Sequence, residues 1–254
     1  MLLVSVNAVG FLGLSYEFRW EILFQHPYLG WLVEGILTTL KLSALAWLQA
    51  LIIGVLVGAA RTLPWRFLRA IGASYVELFR NIPLLVHLFF WYFAAPEVLP
   101  HAFQDWLVAH GIEFWSAVLG LGFYSGARFG EVFRAGIQAV PHSLMEASAS
   151  TGLSTVQSYR FVILPCAVRL VIPPLTGETL NLLKNSSLAL TIGVAELTFM
   201  TRQVESYTAR GLEAITAGTL IYLALCLVIA ALMGRVERRL TIPGLIARGI
   251  TPES

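Results

Sequence analysis

One polar stretch decides the fold: Glu146-Ala-Ser-Ala-Ser-Thr-Gly-Leu-Ser-Thr-Val-Gln-Ser-Tyr-Arg-Phe-Val-Ile-Leu-Pro165. It separates two apolar parts of the chain. Its first residues are small and compatible with a helix, Gly152 permits a turn, and a second helical stretch is predicted to end before Pro165. Two helices this short have little core of their own to bury. We therefore predict a projecting helix-turn-helix that needs a partner.

The composition on either side of this stretch is that of a membrane protein. The chain is 57% hydrophobic and 13% charged, with a mean hydropathy of +0.74, against roughly 45–50% apolar residues in soluble domains. Blocks of about 20 apolar residues suffice to cross a bilayer as a helix. Five such segments are predicted, at residues 31–60, 71–95, 114–138, 168–195 and 212–234.

These segments predict one all-α integral membrane domain over residues 1–254, with about five transmembrane helices. Residues 1–30 are too interrupted to span and are expected at the outer interface. Residues 139–168 form the projecting loop, and residues 235–254 form a tail. The N-terminus lacks the basic leader of a secretory signal, so we expect it to be retained.

The other composition signals exclude several classes of function. A net charge of +2 with scattered arginines argues against a nucleic-acid partner. Cys166 and Cys226 lack the paired spacing of a metal or redox site, and the five histidines show no metal-ligand spacing. We therefore expect no metal site.

The distribution of basic residues predicts the orientation, because Lys and Arg are enriched in cytoplasmic loops. The loop at residues 95–113 contains no Lys or Arg. The basic residues concentrate in the first loop, the third loop and the tail: Arg61, Arg66, Arg69, Arg160, Arg169, Arg235, Arg238, Arg239 and Arg248. We expect the N-terminus outside and the C-terminus in the cytoplasm.

Two pairs of opposite charges fall within predicted membrane segments. Glu77 and Arg80 are three residues apart, as are Glu131 and Arg134, a spacing that places both members on one helix face. Charged residues inside a membrane usually pair with one another. Both pairs are therefore predicted to be structural.

Arg128 lies near the middle of the third segment among small neighbours. It either pairs with Glu131 or uses its planar set of donors to receive a ligand carboxylate. In the fourth segment Glu178, Asn181 and Asn185 recur at helical spacing beside Lys184, and either line a passage or bond between helices. The candidate ligand-binding residues are Arg128, Glu131, Asn181, Lys184 and Asn185.

The projecting stretch resembles the signature of the permeases of binding-protein-dependent ATP-binding-cassette importers. The matching positions are Glu146, Ala147 and Gly152, followed by Ile163-Leu-Pro165. Five further stretches resemble the branch that imports polar amino acids: residues 77–86, 131–138, 173–174, 183–187 and 236–239. The chain departs from the pattern at residues 142–145 and at Ser148, which replaces an alanine.

The resemblance implies a type I importer permease fold in the bacterial inner membrane and a transport subunit rather than an enzyme. Glu146, Ala147, Gly152 and Leu153 are then expected to couple to an ATPase. No G-x-x-x-x-G-K-[ST] loop occurs, so we expect ATP–Mg on a partner ATPase subunit and no cofactor on this chain. A second permease subunit and a periplasmic binding protein are the other implied partners.

The resemblance also suggests a class of substrate. Ala127-Arg128 stands where many members have Ala-Tyr, and this change, with Trp91-Tyr92 and residues 96–100, is similar to the glutamate/aspartate permeases. We expect acidic amino acids. Other polar or basic amino acids remain an alternative, as does a different class of protein, a secondary transporter driven by an ion gradient.

Overall fold

The computed structural model describes residues 7–9 and 15–240, which form a helical domain with one short pair of antiparallel strands. The strands are β1 (Asn7–Val9) and β2 (Ser15–Glu17), followed by a 3-10 turn at Trp20–Phe24. The helices are α1 (Tyr28–Thr62), α2 (Arg66–Asn81), α3 (Leu84–Val98), α4 (His101–His110), α5 (Ile112–Gln138), α6 (His142–Ser150), α7 (Tyr159–Ile192), α8 (Leu197–Thr208) and α9 (Gly211–Leu240). A short helical segment, Thr155–Ser158, directly precedes α7. Arg248 lies outside the described residues.

The helices provide up to five membrane crossings. In the described residues α1, α7 and α9 are each long and apolar enough to span. The pairs α2–α3 and α4–α5, bent by 102° and 111°, bring the number to five if each pair forms one span. The predicted all-α membrane fold with about five crossings is confirmed. The strand pair at the N-terminus was not predicted.

The segment predicted as one membrane helix over residues 71–95 is not a continuous helix. The chain breaks between α2 and α3, where Ile82 adopts an extended conformation with φ −97° and ψ 132° directly before Pro83. A proline disfavours helical geometry in the residue that precedes it and has no N–H to continue the helix. The hydropathy of the segment is continuous, but its backbone is not.

The predicted end of a helix before Pro165 is also wrong. Helix α7 runs without interruption from Tyr159 through Pro165 and through Pro173 and Pro174. Its first residues form a wide π turn over Tyr159–Ile163, in which the Leu164 N–H donates to the Tyr159 carbonyl. Such a turn directly before Pro165 accommodates a residue that has no N–H to donate.

Close packing between α1 and α5 fixes the centre of the domain. A Cβ atom added at Gly54 would lie 2.5 Å from the Phe129 Cβ, and one added at Gly58 would lie 2.5 Å from the Phe133 Cβ. Only glycine permits the two backbones to approach so closely, as is typical of helices packed in membranes. This contact holds the end of α1 against the charged part of α5.

A buried carboxylate, Glu196, lies directly before α8 and links α8 to α9. It accepts hydrogen bonds from the N–H groups of Thr198 at 3.0 Å and Phe199 at 2.9 Å, and from the Tyr222 hydroxyl of α9 at 2.5 Å. The next N–H, of Leu197, donates to Thr39 Oγ1 of α1 at 3.0 Å. Burial raises the pKa of Glu196, and the hydrogen bonds oppose that effect.

Glu196→Ala is therefore expected to lower the stability of the folded domain by about 1–3 kcal/mol, because it removes a helix N-cap and the acceptor of the Tyr222 O–H. The measurement is the temperature at which half of the detergent-solubilised protein is lost from the monodisperse size-exclusion peak. Glu97→Ala is the matched control, since Glu97 is exposed. Equal midpoints for the two variants would contradict this role.

Candidate functional site

Arg128 lies on α5 and connects it to α7. Its Nε donates to Glu178 Oε2 at 2.7 Å, and one Nη donates to the Tyr124 hydroxyl at 3.2 Å. The Arg128 side chain is still 37% exposed, and a guanidinium has N–H donors beyond these two. The reading in which Arg128 only pairs with Glu131 is wrong, because its carboxylate partner is 50 residues further along the chain.

Glu131 is held between two other arginines. It accepts from Arg134 Nε at 3.0 Å, and its second oxygen accepts from Arg61 at the end of α1. The predicted pairing of Glu131 with Arg134 is present, whereas Arg61, predicted in the first loop, lies in the last turn of α1. Both carboxylate oxygens of Glu131 accept hydrogen bonds from arginines. This candidate ligand-binding residue therefore holds Arg61 and Arg134 in position.

The second predicted pair does not form. Glu77 accepts from Asn81 Nδ2 at 3.1 Å, one turn along α2, and not from Arg80. The Arg80 guanidinium has no hydrogen-bond or ion-pair partner among the described residues. It lines a cavity of about 100 Å³ together with Arg128, Glu131 and Glu178.

Positive charge exceeds negative charge around this cavity. Two carboxylates and two guanidiniums line it, those of Glu131, Glu178, Arg80 and Arg128. Arg61 and Arg134 are not in the lining but both pair with Glu131, so the charged group as a whole has four guanidiniums and two carboxylates. Arg80 is exposed and the Arg128 side chain is 37% exposed, so both keep N–H donors free for a ligand. The site is therefore suited to bind an anion, and carboxylates match the planar geometry of guanidinium groups.

The remaining candidates lie along α7, beyond Glu178. Asn181 and Asn185 are partly exposed and Lys184 is exposed. Their side chains make no hydrogen bond within the described part of the chain, and they do not line the cavity around Arg128. The structure thus brings Glu178 to Arg128 but leaves these three side chains on an uncovered face of α7.

Two aromatic residues near Arg128 were missed from the sequence. Tyr124 accepts from Arg128, and its ring lies 5.7 Å from the ring of His87. His87 is buried, stacks on Phe79 at 5.0 Å, and lies 3.2 Å from the Phe79 carbonyl oxygen. The break at Pro83 folds α3 back towards α2 and creates this contact. Proline within the segment was the one available signal.

The predicted projecting stretch forms α6, a turn and the start of α7. Gly152 has φ +82°, which confirms the predicted turn, and Glu146 and Ala147 are exposed. Ser148, the departure from the family pattern, is buried and donates to Met145 O at 2.7 Å and to Ser158 Oγ at 2.8 Å. The contact with Ser158 joins α6 to the short helical segment Thr155–Ser158 directly before α7.

Residues 50–242 match the family described as the inner membrane component of binding-protein-dependent transport systems. The chain belongs to this family. The permease is 40% identical over 241 residues to the glutamate/aspartate import permease protein GltJ of Escherichia coli K12, covering 91% of this chain and 98% of that protein. It is 34% identical over 226 residues to the glutamine transport system permease protein GlnP of Escherichia coli K12, covering 89% and 99%.

Solved structures share the fold of the permease. A chain in the crystal structure of an amino acid ABC transporter with histidines superposes with a TM-score of 0.75 at 29% identity, covering 88% of this chain and 100% of that chain. A chain of the inward-facing MetNI methionine ABC transporter superposes with a TM-score of 0.70 at 20% identity, covering 86% and 100%. The type I importer permease fold is confirmed.

Proposed function

We propose that the permease translocates acidic amino acids, glutamate or aspartate, through the bacterial inner membrane. The observation that carries the proposal is the excess of guanidinium groups around Arg128, with Arg80 unpaired beside it. A dicarboxylic amino acid brings one carboxylate more than a neutral one, and a cationic site offsets the cost of removing it from water. The same excess disfavours a basic substrate.

The pairing of Arg128 with Glu178 suggests how the substrate enters. Glu178 occupies one edge of the Arg128 guanidinium, so an arriving carboxylate competes with Glu178 for that edge or binds the free N–H groups. Arg128 can hold a carboxylate in a two-point geometry that a lysine cannot reproduce. In this proposal Glu178 neutralises Arg128 when no substrate is bound. Asn181, Lys184 and Asn185 line the path beyond.

The proposed energy source is ATP hydrolysis on a separate subunit. Two permease subunits, identical or homologous, form the pathway, two ATPase subunits bind ATP–Mg, and a periplasmic protein delivers the substrate; this chain binds no cofactor. The exposed Glu146 and Ala147, with Gly152 and Leu153 at the turn, contact the ATPase. The N-terminus faces outward and the C-terminus faces the cytoplasm, as the arginine distribution favours. Closure of the ATPases shifts the helices between two arrangements.

A ligand screen on the cognate binding protein tests the proposed substrate class. The binding protein is expected to bind glutamate and aspartate at least about 100-fold more tightly than glutamine or arginine, because a site that pairs with the second carboxylate is left unsatisfied by the other ligands. Isothermal titration with each amino acid gives the dissociation constants. Preference for glutamine or arginine would contradict the assignment and favour the alternative of another polar or basic substrate.

A further inference from the structure

We propose that a cavity beside α6, at the inner ends of α1 and α5, binds the headgroup of an anionic phospholipid. This inference rests on the orientation in the proposed function, in which these helix ends face the cytoplasm. The cavity has a volume of about 440 Å³ and differs from the one beside Arg128, although Arg61, which lines it, also pairs with Glu131 of that site. It lies between the end of α1, the first turns of α2, the end of α5 and the start of α6.

The polar part of the cavity is cationic. Arg61, Arg69 and His142 line it, and none of the described lining residues is acidic. Arg61 shares the Glu131 carboxylate with Arg134, so that carboxylate cannot neutralise both guanidiniums. The guanidinium of Arg69 has no hydrogen-bond or ion-pair partner in the described part of the chain. Arg69 is exposed, so its guanidinium is free to donate charge-assisted hydrogen bonds to a phosphate oxygen.

Exposed aromatic residues close in sequence to the cavity lining favour a lipid over a soluble anion or an acidic protein surface. Trp65 is 64% exposed and lies one turn before Arg69, whose N–H donates to the Trp65 carbonyl at 3.1 Å. Phe67 and Phe161 are 75% and 62% exposed, and Phe161 is two residues from Tyr159, which lines the cavity. Exposed aromatic rings beside basic residues are typical of the membrane interface. Basic pockets between membrane helices on the cytoplasmic side bind anionic headgroups.

The test is lipid retention by the assembled importer with its ATPase subunits, measured by native mass spectrometry during titration with phosphatidylglycerol or phosphatidylcholine of equal chain length. The complex is expected to prefer phosphatidylglycerol. Arg69→Gln is expected to weaken that binding about five-fold, since one basic group contributes about 1 kcal/mol at an anionic surface. Arg66→Gln is the matched control, because Arg66 is exposed on the same helix and does not line the cavity.

Equal retention of the two lipids would overturn the proposal, as would displacement of the lipid by free glycerol phosphate. So would equal binding by Arg69→Gln and the unchanged complex, or an equal loss of binding in Arg66→Gln. Binding seen only after removal of the ATPase would assign the cavity to the protein interface and would also overturn it. Arg69→Lys keeps the charge and is expected to retain binding within about two-fold, which provides a folded comparison.

Lipid retention is measured without a transported substrate. A wrong substrate assignment would therefore leave the measured lipid binding unchanged. The orientation is checked separately with an Arg69→Cys variant in a background without the native cysteines. A membrane-impermeant thiol reagent is expected to label it only from the cytoplasmic side. Labelling from the outside would contradict the orientation and with it the proposed lipid site.

Discussion

Arg128→Ala is expected to abolish uptake of glutamate and aspartate while the complex with the ATPase still assembles. The substitution removes the guanidinium that is proposed to hold a substrate carboxylate by two charge-assisted hydrogen bonds. Loss of both corresponds to a fall in uptake on the order of 100-fold or more. Initial rates of radiolabelled aspartate uptake, normalised to the amount of assembled complex, provide the measurement.

A double variant separates substrate binding from charge neutralisation. Arg128→Ala alone leaves Glu178, whose side chain is 20% exposed, without its ion-pair partner. Arg128→Ala combined with Glu178→Ala removes both charges and relieves that defect. If Arg128 receives substrate, the double variant assembles but remains inactive. Recovery of uptake in the double variant would show that Arg128 serves only to neutralise Glu178.

Gly152→Val is expected to uncouple ATP hydrolysis from transport. The φ of +82° at Gly152 is strained for any other residue, and most for a β-branched one. A Cβ at this position meets no atom within 4 Å, so the effect arises from the backbone and not from a clash. A strain of about 1–3 kcal/mol favours a different turn and reorients α6. We expect at least about a ten-fold loss of uptake.

ATPase activity of the assembled complex identifies the step that Gly152→Val affects. Hydrolysis is expected to continue at its basal rate but to lose its stimulation by the substrate-loaded binding protein. Gly30→Val is the matched control, since a Cβ at Gly30 also meets no atom within 4 Å and the residue lies in a helix. Full stimulation in Gly152→Val would show that the turn does not transmit the signal.

The parts of the fold that follow from local sequence were predictable. Hydropathy located both ends of α1 and the first residue of α9 to within a few residues. Each is a continuous apolar helix long enough to span the bilayer. Gly152 identified its turn, since few other residues adopt positive φ. The Glu131–Arg134 pair followed from helical spacing.

The rest depends on contacts between distant parts of the chain. Hydropathy averages over a window and cannot detect the break at Pro83, nor that a π turn allows α7 to continue through Pro165. The partner of Arg128 is on another helix, so spacing along α5 pointed to Glu131 instead of Glu178. The proximity of Arg80 to this site likewise depends on the angle at which α2 packs.

The central claim is ATP-driven import of acidic amino acids, and transport by the purified complex in proteoliposomes tests it most directly. With ATP–Mg on the side of α6 and the binding protein on the other side, labelled aspartate or glutamate should accumulate, and glutamine should not. Accumulation should stop with a non-hydrolysable ATP analogue and be unaffected by collapse of ion gradients. Uptake driven by an ion gradient without ATPase subunits would contradict the account.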